Sequence, residues 1–207
     1  MKYNFILILL FSLLSSNLIA NEWRFDVILN DEVIGKHSFK QVDNESHSLA
    51  KFKLKFMFMN ISYEHESKET WNEDCLQSII SSTNDDGELF NVNGRKNNTK
   101  FEVSSNNNEK SLPECIMTFA YWNPKILNQK KLMNSQDGEW LDVVIKNIGI
   151  EKRDVRGQQI DAKHYKIQAI KDGDEEFIID VWYDDNMSLI CLLYASDAAD
   201  DWSSGGG

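Results

Sequence analysis

The chain has 207 residues and a formal net charge of −11 at neutral pH. Such acidity opposes binding to the phosphates of nucleic acids and to anionic membrane surfaces, so we expect neither as a partner. The length suits one domain with a sizeable core and leaves little room for two.

The first twenty residues have the three-part layout of a secretory signal peptide. Lys2 supplies a positive charge, residues 5–14 are almost wholly apolar, and residues 15–20 turn polar and small. We expect cleavage after Ala20, which predicts a periplasmic or secreted mature protein. An uncleaved N-terminal anchor is the alternative. No second apolar run of spanning length follows, so we expect the mature chain not to span a membrane.

Apolar and polar residues alternate at the start of the mature chain, where Trp23, Phe25, Val27 and Leu29 share one parity. A period of two predicts a half-buried strand. Turn-forming residues at 30–32 precede a second apolar segment, so we predict a hairpin. Gly35 inside the second strand indicates a bulge or a close approach of two backbones.

The clearest strand pattern runs over residues 50–71. Phe52, Leu54, Phe56 and Phe58 share one parity, whereas Ile61 and the apolar residues after it have the other. We interpret this change as one long bent strand with a bulge near residues 59–60.

The rest of the chain predicts further strands separated by turn-forming Asn, Asp and Gly. The predicted strands cover residues 76–83, 89–92, 99–103, 140–148, 150–155, 160–169 and 176–183. Alternation fades over residues 112–133, which favours a short helix or crossover with Pro113 in a first helical turn. The fold class we predict is all-β and mainly antiparallel, as a curved sheet or open β-barrel meander of about ten strands with one short helical crossover.

We assign residues 21–190 to a single β-rich domain and residues 191–207 to a non-native tail. With one changed codon, residues 191–201 can be encoded by a transposase adapter used in sequencing libraries, which suggests translated adapter DNA. An acidic disordered tail is the alternative. Loss of a native C-terminal strand would expose a sheet edge.

Cys75 and Cys115 can form a disulfide in an oxidising compartment. Two buried free thiols are the alternative. Cys191 lies in the suspected tail and carries no functional argument.

No residue pattern amounts to a catalytic, metal or cofactor signature, so we predict none of these sites. His37, His65 and His164 lie in predicted strands without a ligand at metal-binding spacing, which favours structural or surface roles. We predict that Glu64, Glu66 and Glu69 lie on a solvated strand face. Three acidic segments, residues 84–87, 172–174 and 184–186, are read as hairpin turns and not as calcium loops.

The aromatic residues are the most suggestive feature. In a curved sheet they would line the concave face, where a ligand cavity could form, although an ordinary core is the alternative. The candidate ligand-binding residues are Trp23, Phe56, Tyr121, Trp122 and Trp182.

The sequence contains five motif segments: Trp23-x-Phe25-x-Val27-x-Leu29, Ile34-Gly35-x-His37-x-Phe39, the strand from Tyr63 to Trp71, residues 119–124 and Asp180-x-Trp182-Tyr183-Asp184. These segments resemble a bacterial family of exported β-rich proteins catalogued as domain of unknown function 6134. The resemblance implies no activity and no catalytic residues.

Our leading hypothesis is a non-catalytic periplasmic module that binds or carries an apolar or lipid-like ligand, or an envelope partner protein. The alternatives are an envelope hydrolase that uses His37 or His65 with a nearby Glu, and a structural envelope protein.

Overall fold

The protein consists of two antiparallel β-sheets and one short 3-10 helix. The computed structural model describes residues 20–195 except 30–31, 57–58, 107 and 156, without the side chains of 28–29, 54–56, 59–60 and 194–195. In this part of the chain, neither sheet closes into a barrel, because no pairing joins the two edge strands of either sheet. The predicted all-β antiparallel class is therefore confirmed.

The larger sheet, sheet A, has eight strands in chain order. They are β1 (Ala20–Leu29), β2 (Glu32–Val42), β3 (Glu45–Phe56), β4 (Met59–Asn72), β5 (Cys75–Asp85), β6 (Glu88–Lys96), β7 (Lys100–Ser105) and β8 (Asn108–Pro113). Each strand pairs with its neighbour in sequence, so sheet A is a simple meander.

The smaller sheet, sheet B, has five strands in the order β13-β12-β11-β10-β9. They are β9 (Lys131–Met133), β10 (Trp140–Val155), β11 (Gln158–Lys171), β12 (Asp174–Tyr183) and β13 (Leu189–Ala195), and the 3-10 helix Pro124–Asn128 precedes them. The helix begins at Pro124, whose fixed φ suits a first helical position, and Asn123 caps it.

The single bent strand predicted over residues 50–71 is wrong. β3 and β4 are two antiparallel strands, and their register pairs Phe52 with Tyr63 and Leu54 with Ile61. Directly paired residues project from the same face of a sheet. The change of parity therefore marks a hairpin and not a bulge, and it brings the two apolar rows together.

The structure corrects two smaller predictions and confirms a third. Pro113 ends β8 and lies outside the helix, so its predicted helical position is wrong. The segments predicted over 140–148 and 150–155 form the single strand β10, with a register shift between Asn147 and Gly149. Gly35 lies beside a bulge, and a Cβ there would collide with the backbone of Phe52, so that prediction is confirmed.

The core lies between the two sheets, with the segment 114–130 packed into it. Ile116, Met117 and Ile126 of this segment are fully buried. The Leu76 N–H donates to the Ile116 carbonyl at 3.0 Å. The predicted disulfide between Cys75 and Cys115 is confirmed, and its 40-residue loop contributes roughly 4 kcal/mol by restricting the unfolded chain.

The predicted signal peptide and the predicted non-native tail lie almost entirely outside the described residues. Residues 1–19 of the predicted signal peptide and residues 196–207 of the predicted tail lie outside the described residues, and residues 191–195 belong to β13. The domain boundaries therefore stay predictions. Among the described residues, no helix is long and apolar enough to cross a membrane.

Candidate functional site

Three of the predicted ligand-binding residues come together on the inner side of sheet A, the side that faces the core. Trp23 of β1 stacks on Trp122 with ring centroids 6.4 Å apart, and Trp71 meets Trp122 edge-on at 5.7 Å. Tyr121 is buried and packs edge-on against Phe39 at 6.2 Å. The segment 119–123 thus covers one part of the inner face.

The other two predicted residues do not join this cluster. Phe56 ends β3, and its side chain lies outside the described part of the structure. Trp182 lies on the outer face of sheet B, because its neighbours Val181 and Tyr183 point into the core. Alternation placed Trp182 in a strand but could not show which face of that strand meets sheet A.

The inner face of sheet A continues beyond the cover of residues 119–123 as a group of half-buried apolar side chains. We call Phe25, Val27, Phe52 and Tyr63 the aromatic end. Register brings them together across β1–β4, because Val27 pairs with Gly35, Gly35 with Phe52, and Phe52 with Tyr63. The Phe52 and Tyr63 rings are parallel within 13° and 4.7 Å apart. Reading residues 50–71 as one strand missed this group.

A row of buried polar residues borders the aromatic end. His37 pairs with Phe25 on one side and Ala50 on the other, and Ala50 pairs with His65. The His37 Nε2 lies 3.1 Å from the Ser48 hydroxyl, and burial, with His65 as a second cause, lowers the pKa of His37 to about 3. The His37 ring is therefore uncharged at neutral pH.

His65 is held by hydroxyl groups. Its Nδ1 lies 2.9 Å from the Thr83 hydroxyl and its Nε2 lies 3.3 Å from that of Ser135. Burial lowers the pKa of His65 to about 4, although the charge of Glu66 acts in the opposite direction. The ring partners described for His65 do not include the carboxylate that a His/Glu hydrolase site requires.

Glu69 is buried, so its predicted position on a solvated face is wrong. The Ser46 hydroxyl donates to its Oε2 at 3.1 Å, and the Trp71 Nε1–H donates to the Ser46 hydroxyl at 3.0 Å. Burial raises the pKa of Glu69 to about 7, against the hydrogen bond from Ser46, which lowers it. The β4 bulge after Thr70 lies next to this residue in the chain.

Glu64 and Glu66 do lie on the exposed outer face, as predicted. Glu64 binds Lys51 at 2.9 Å, and Glu66 lies 2.9 Å from His47. These carboxylates therefore point away from His65, which lies between them in sequence but on the opposite face of the strand.

The outer face of sheet B carries a charged cluster that sequence reasoning missed. His164 Nδ1 lies 2.9 Å from Glu151 Oε1, and His164 Nε2 lies 2.6 Å from Asp180 Oδ1. The imidazole stacks on Trp182 at 4.3 Å, and the Arg153 guanidinium lies 3.9 Å above the same indole. Both ring nitrogens of His164 therefore lie within hydrogen-bonding distance of carboxylate oxygens.

Glu151 joins the parts of this cluster. Its Oε2 accepts from the Trp182 Nε1–H at 3.1 Å and lies 3.2 Å from the Arg153 guanidinium. Hydrogen bonds from His164 and Trp182 hold the pKa of Glu151 below its usual value. Gly149, at a φ of +132° beside the β10 bulge, provides the backbone freedom where the strand changes face.

The acidic segments predicted as turns join successive strands. Asn84 accepts from the Gly87 N–H at 2.8 Å in the β5–β6 turn, and Asp184 accepts from the Ser188 N–H at 2.8 Å in the β12–β13 turn. Within the described residues, no group of three or more His, Cys, Asp or Glu side chains is placed to hold a metal ion.

Two clefts lie away from the aromatic end. One, of about 170 Å³, is bordered by Ser105, Lys110, Glu139 and Lys171, and Lys110 binds Glu139 there at 2.6 Å. The other, of about 450 Å³, opens on the outer face of sheet A around Ser78, Ile80 and Arg95. Neither contains a predicted ligand-binding residue.

The chain matches the family model described as domain of unknown function, DUF6134, over residues 25–198. Because this match covers most of the sequence, the protein belongs to that family, and the resemblance inferred from the sequence motifs is confirmed. No curated protein and no solved structure matches the chain.

Proposed function

We propose that the protein is an exported, non-catalytic module that binds an apolar or lipid-like molecule at the aromatic end of sheet A. The observation that carries this proposal is the position of four half-buried aromatic or aliphatic side chains on the inner face of the sheet, of which Phe25 packs against the core. On the outer face of the same strands, polar and charged residues predominate, as they do on ordinary protein surfaces.

The dimensions of the aromatic end suit a single acyl chain. Its side chains come from β1, β3 and β4, and Gly35 of β2 lies between them, so the four strands span about 14 Å at the usual spacing between neighbours. An acyl chain that covers apolar surface there would stabilise the complex by about 25 cal/mol per Å² of surface removed from water. The stacked rings of Phe52 and Tyr63 would form one wall against such a chain.

Two features support export. The N-terminal sequence has the layout of a signal peptide, and the Cys75–Cys115 disulfide is typical of proteins that fold in an oxidising compartment. We therefore place the function in the periplasm or outside the cell.

The direct test is to express the chain with its N-terminal segment in a bacterial host and to purify it from the periplasm without detergent. We expect mass spectrometry of organic extracts to find an apolar molecule in near-stoichiometric amount. A folded protein that carries no such molecule and binds no added long-chain alcohol would refute the proposal.

A pair of variants locates the site. Phe52→Ala should lower the affinity for a long-chain alcohol at least about tenfold, because it removes one of the two stacked rings. Leu49→Ala is the matched control, since Leu49 lies in the same strand but on the outer face, with 38% of its surface exposed. Equal losses of affinity in both variants would show that the alcohol does not bind at the aromatic end.

A further inference from the structure

The chemistry around the aromatic end also indicates what kind of polar group the bound molecule carries. From Phe25 of the aromatic end, a row of paired residues continues across the inner face through His37, Ala50, His65 and Thr83. Its polar members donate and accept hydrogen bonds with the hydroxyls of Ser48 and Ser135, and the pKa values of both histidines keep the rings uncharged at neutral pH.

Among the side chains that the structure describes in this region, the basic ones lie on the opposite face. Lys36 and Lys51 project outward, where they bind Asp26 and Glu64 at 2.9 Å. The row that forms the aromatic end runs from Val27 through Gly35, Phe52 and Tyr63 to Asp85. Among these described positions, the formal charge is a single negative one.

We infer that the ligand of the aromatic end is a single-chain amphiphile whose polar end is uncharged, such as an alcohol or an ester, and not a carboxylate or phosphate. This inference rests on the proposed function. A hydroxyl or ester can exchange hydrogen bonds with histidine, serine and threonine side chains. A buried anion without a basic partner would instead lose its hydration without compensation.

The experiment compares dodecan-1-ol, methyl dodecanoate and dodecanoate at neutral pH, each below its aggregation concentration, by displacement of a fluorescent apolar probe. The three molecules have chains of matched length. We expect the alcohol and the ester to bind at least about tenfold more tightly than the carboxylate. Dodecanoate binding as tightly as the ester would overturn this inference but leave the proposed function standing.

Failure of all three molecules to bind would instead refute the proposed function, so the two failures are distinguishable. A charge variant gives a second measurement. Val27→Lys places an ammonium group at the half-buried rim of the aromatic end, where a long side chain can reach water. It should raise the affinity for dodecanoate at least about fivefold and leave that for the ester nearly unchanged.

Leu49→Lys is the matched control, because it adds the same charge on the outer face of sheet A. Equal gains in dodecanoate affinity for the two variants would show a long-range charge effect and would overturn the assignment of the polar end to this site.

Discussion

Buried histidines occur on both sheets, and their surroundings differ in charge. On the inner face of sheet A, His65 is bonded to the hydroxyls of Thr83 and Ser135 and its pKa is lowered to about 4. On the outer face of sheet B, His164 lies between the carboxylates of Glu151 and Asp180. The same residue type therefore has hydroxyl partners in one region and carboxylate partners in the other.

Two buried histidines of one protein can therefore have very different polar partners. Hydroxyl partners can accept or donate and so suit a neutral ring, whereas ionised carboxylates only accept hydrogen bonds. The neutral region lies next to the aromatic end and suits ligand binding. The charged region links β10 with β11 and β12 through side-chain contacts, which is consistent with a role in the stability of sheet B.

The largest expected effect comes from breaking the charged region at its centre. Trp182→Ala removes a buried indole that contacts His164, Arg153 and Glu151. We expect a loss of about 3–5 kcal/mol in the free energy of unfolding, measured by urea denaturation. Ile80→Ala, at a position 65% exposed, is the control and should change stability by no more than about 0.5 kcal/mol. A similarly small loss for Trp182→Ala would mean that the cluster does not stabilise the sheet.

The next effect concerns Glu69, whose pKa is raised from 4.5 to about 7 in the folded protein. The unfolded chain loses this proton first, so folding stability falls as the pH rises from about 4.5 to 7 and then stays level. Glu69→Gln removes the titration, and we expect a gain of up to about 3 kcal/mol at pH 8 relative to the parent. The gain should vanish near pH 4, and a gain that is constant over this range would contradict the raised pKa.

A smaller effect of opposite sign is expected at His65, whose pKa is lowered from 6.5 to about 4. The unfolded chain binds this proton first, so stability falls as the pH drops from about 6.5 to 4. Between pH 7 and pH 5 the loss from His65 is about 2 kcal/mol. His65→Gln should remove it, as judged from urea denaturation at both pH values, with the exposed His47→Gln as control. If His65→Gln loses as much folding stability as the parent between pH 7 and pH 5, the His65 ring is not the neutral group described.

The local features of the sheets followed from the sequence because they depend on neighbouring residues. Alternation predicted most strands, and the turns after Asn84, Asp172 and Asp184 followed from residues with turn propensity. Residues 50–71 were the exception. A hairpin and a bulge both change the parity of the apolar residues, and no Gly, Pro, Asn or Asp lies between Phe56 and Met59 to mark a turn.

The candidate site was predictable only in part. Trp23, Tyr121 and Trp122 could be proposed because large aromatic residues are rare enough to draw notice, but they cover the neighbouring part of the inner face. Val27 and Tyr63, which belong to the aromatic end, come together only through the register of four strands. Trp182 could not be assigned a face, because the side of a sheet that meets the core depends on how two sheets pack. Glu69 likewise became a buried acid through contacts with residues distant in sequence.

The sequence by itself determined the all-β class, the family, the cysteine pair and the positions of most strands, because these depend on composition, local alternation and recognisable motifs. The tertiary structure was needed to show which faces meet, which polar partners each buried histidine has, and where the aromatic end lies. Those properties arise from pairs such as Phe52 with Tyr63, and Glu151 with Trp182, whose contact requires the long-range register that local patterns do not encode.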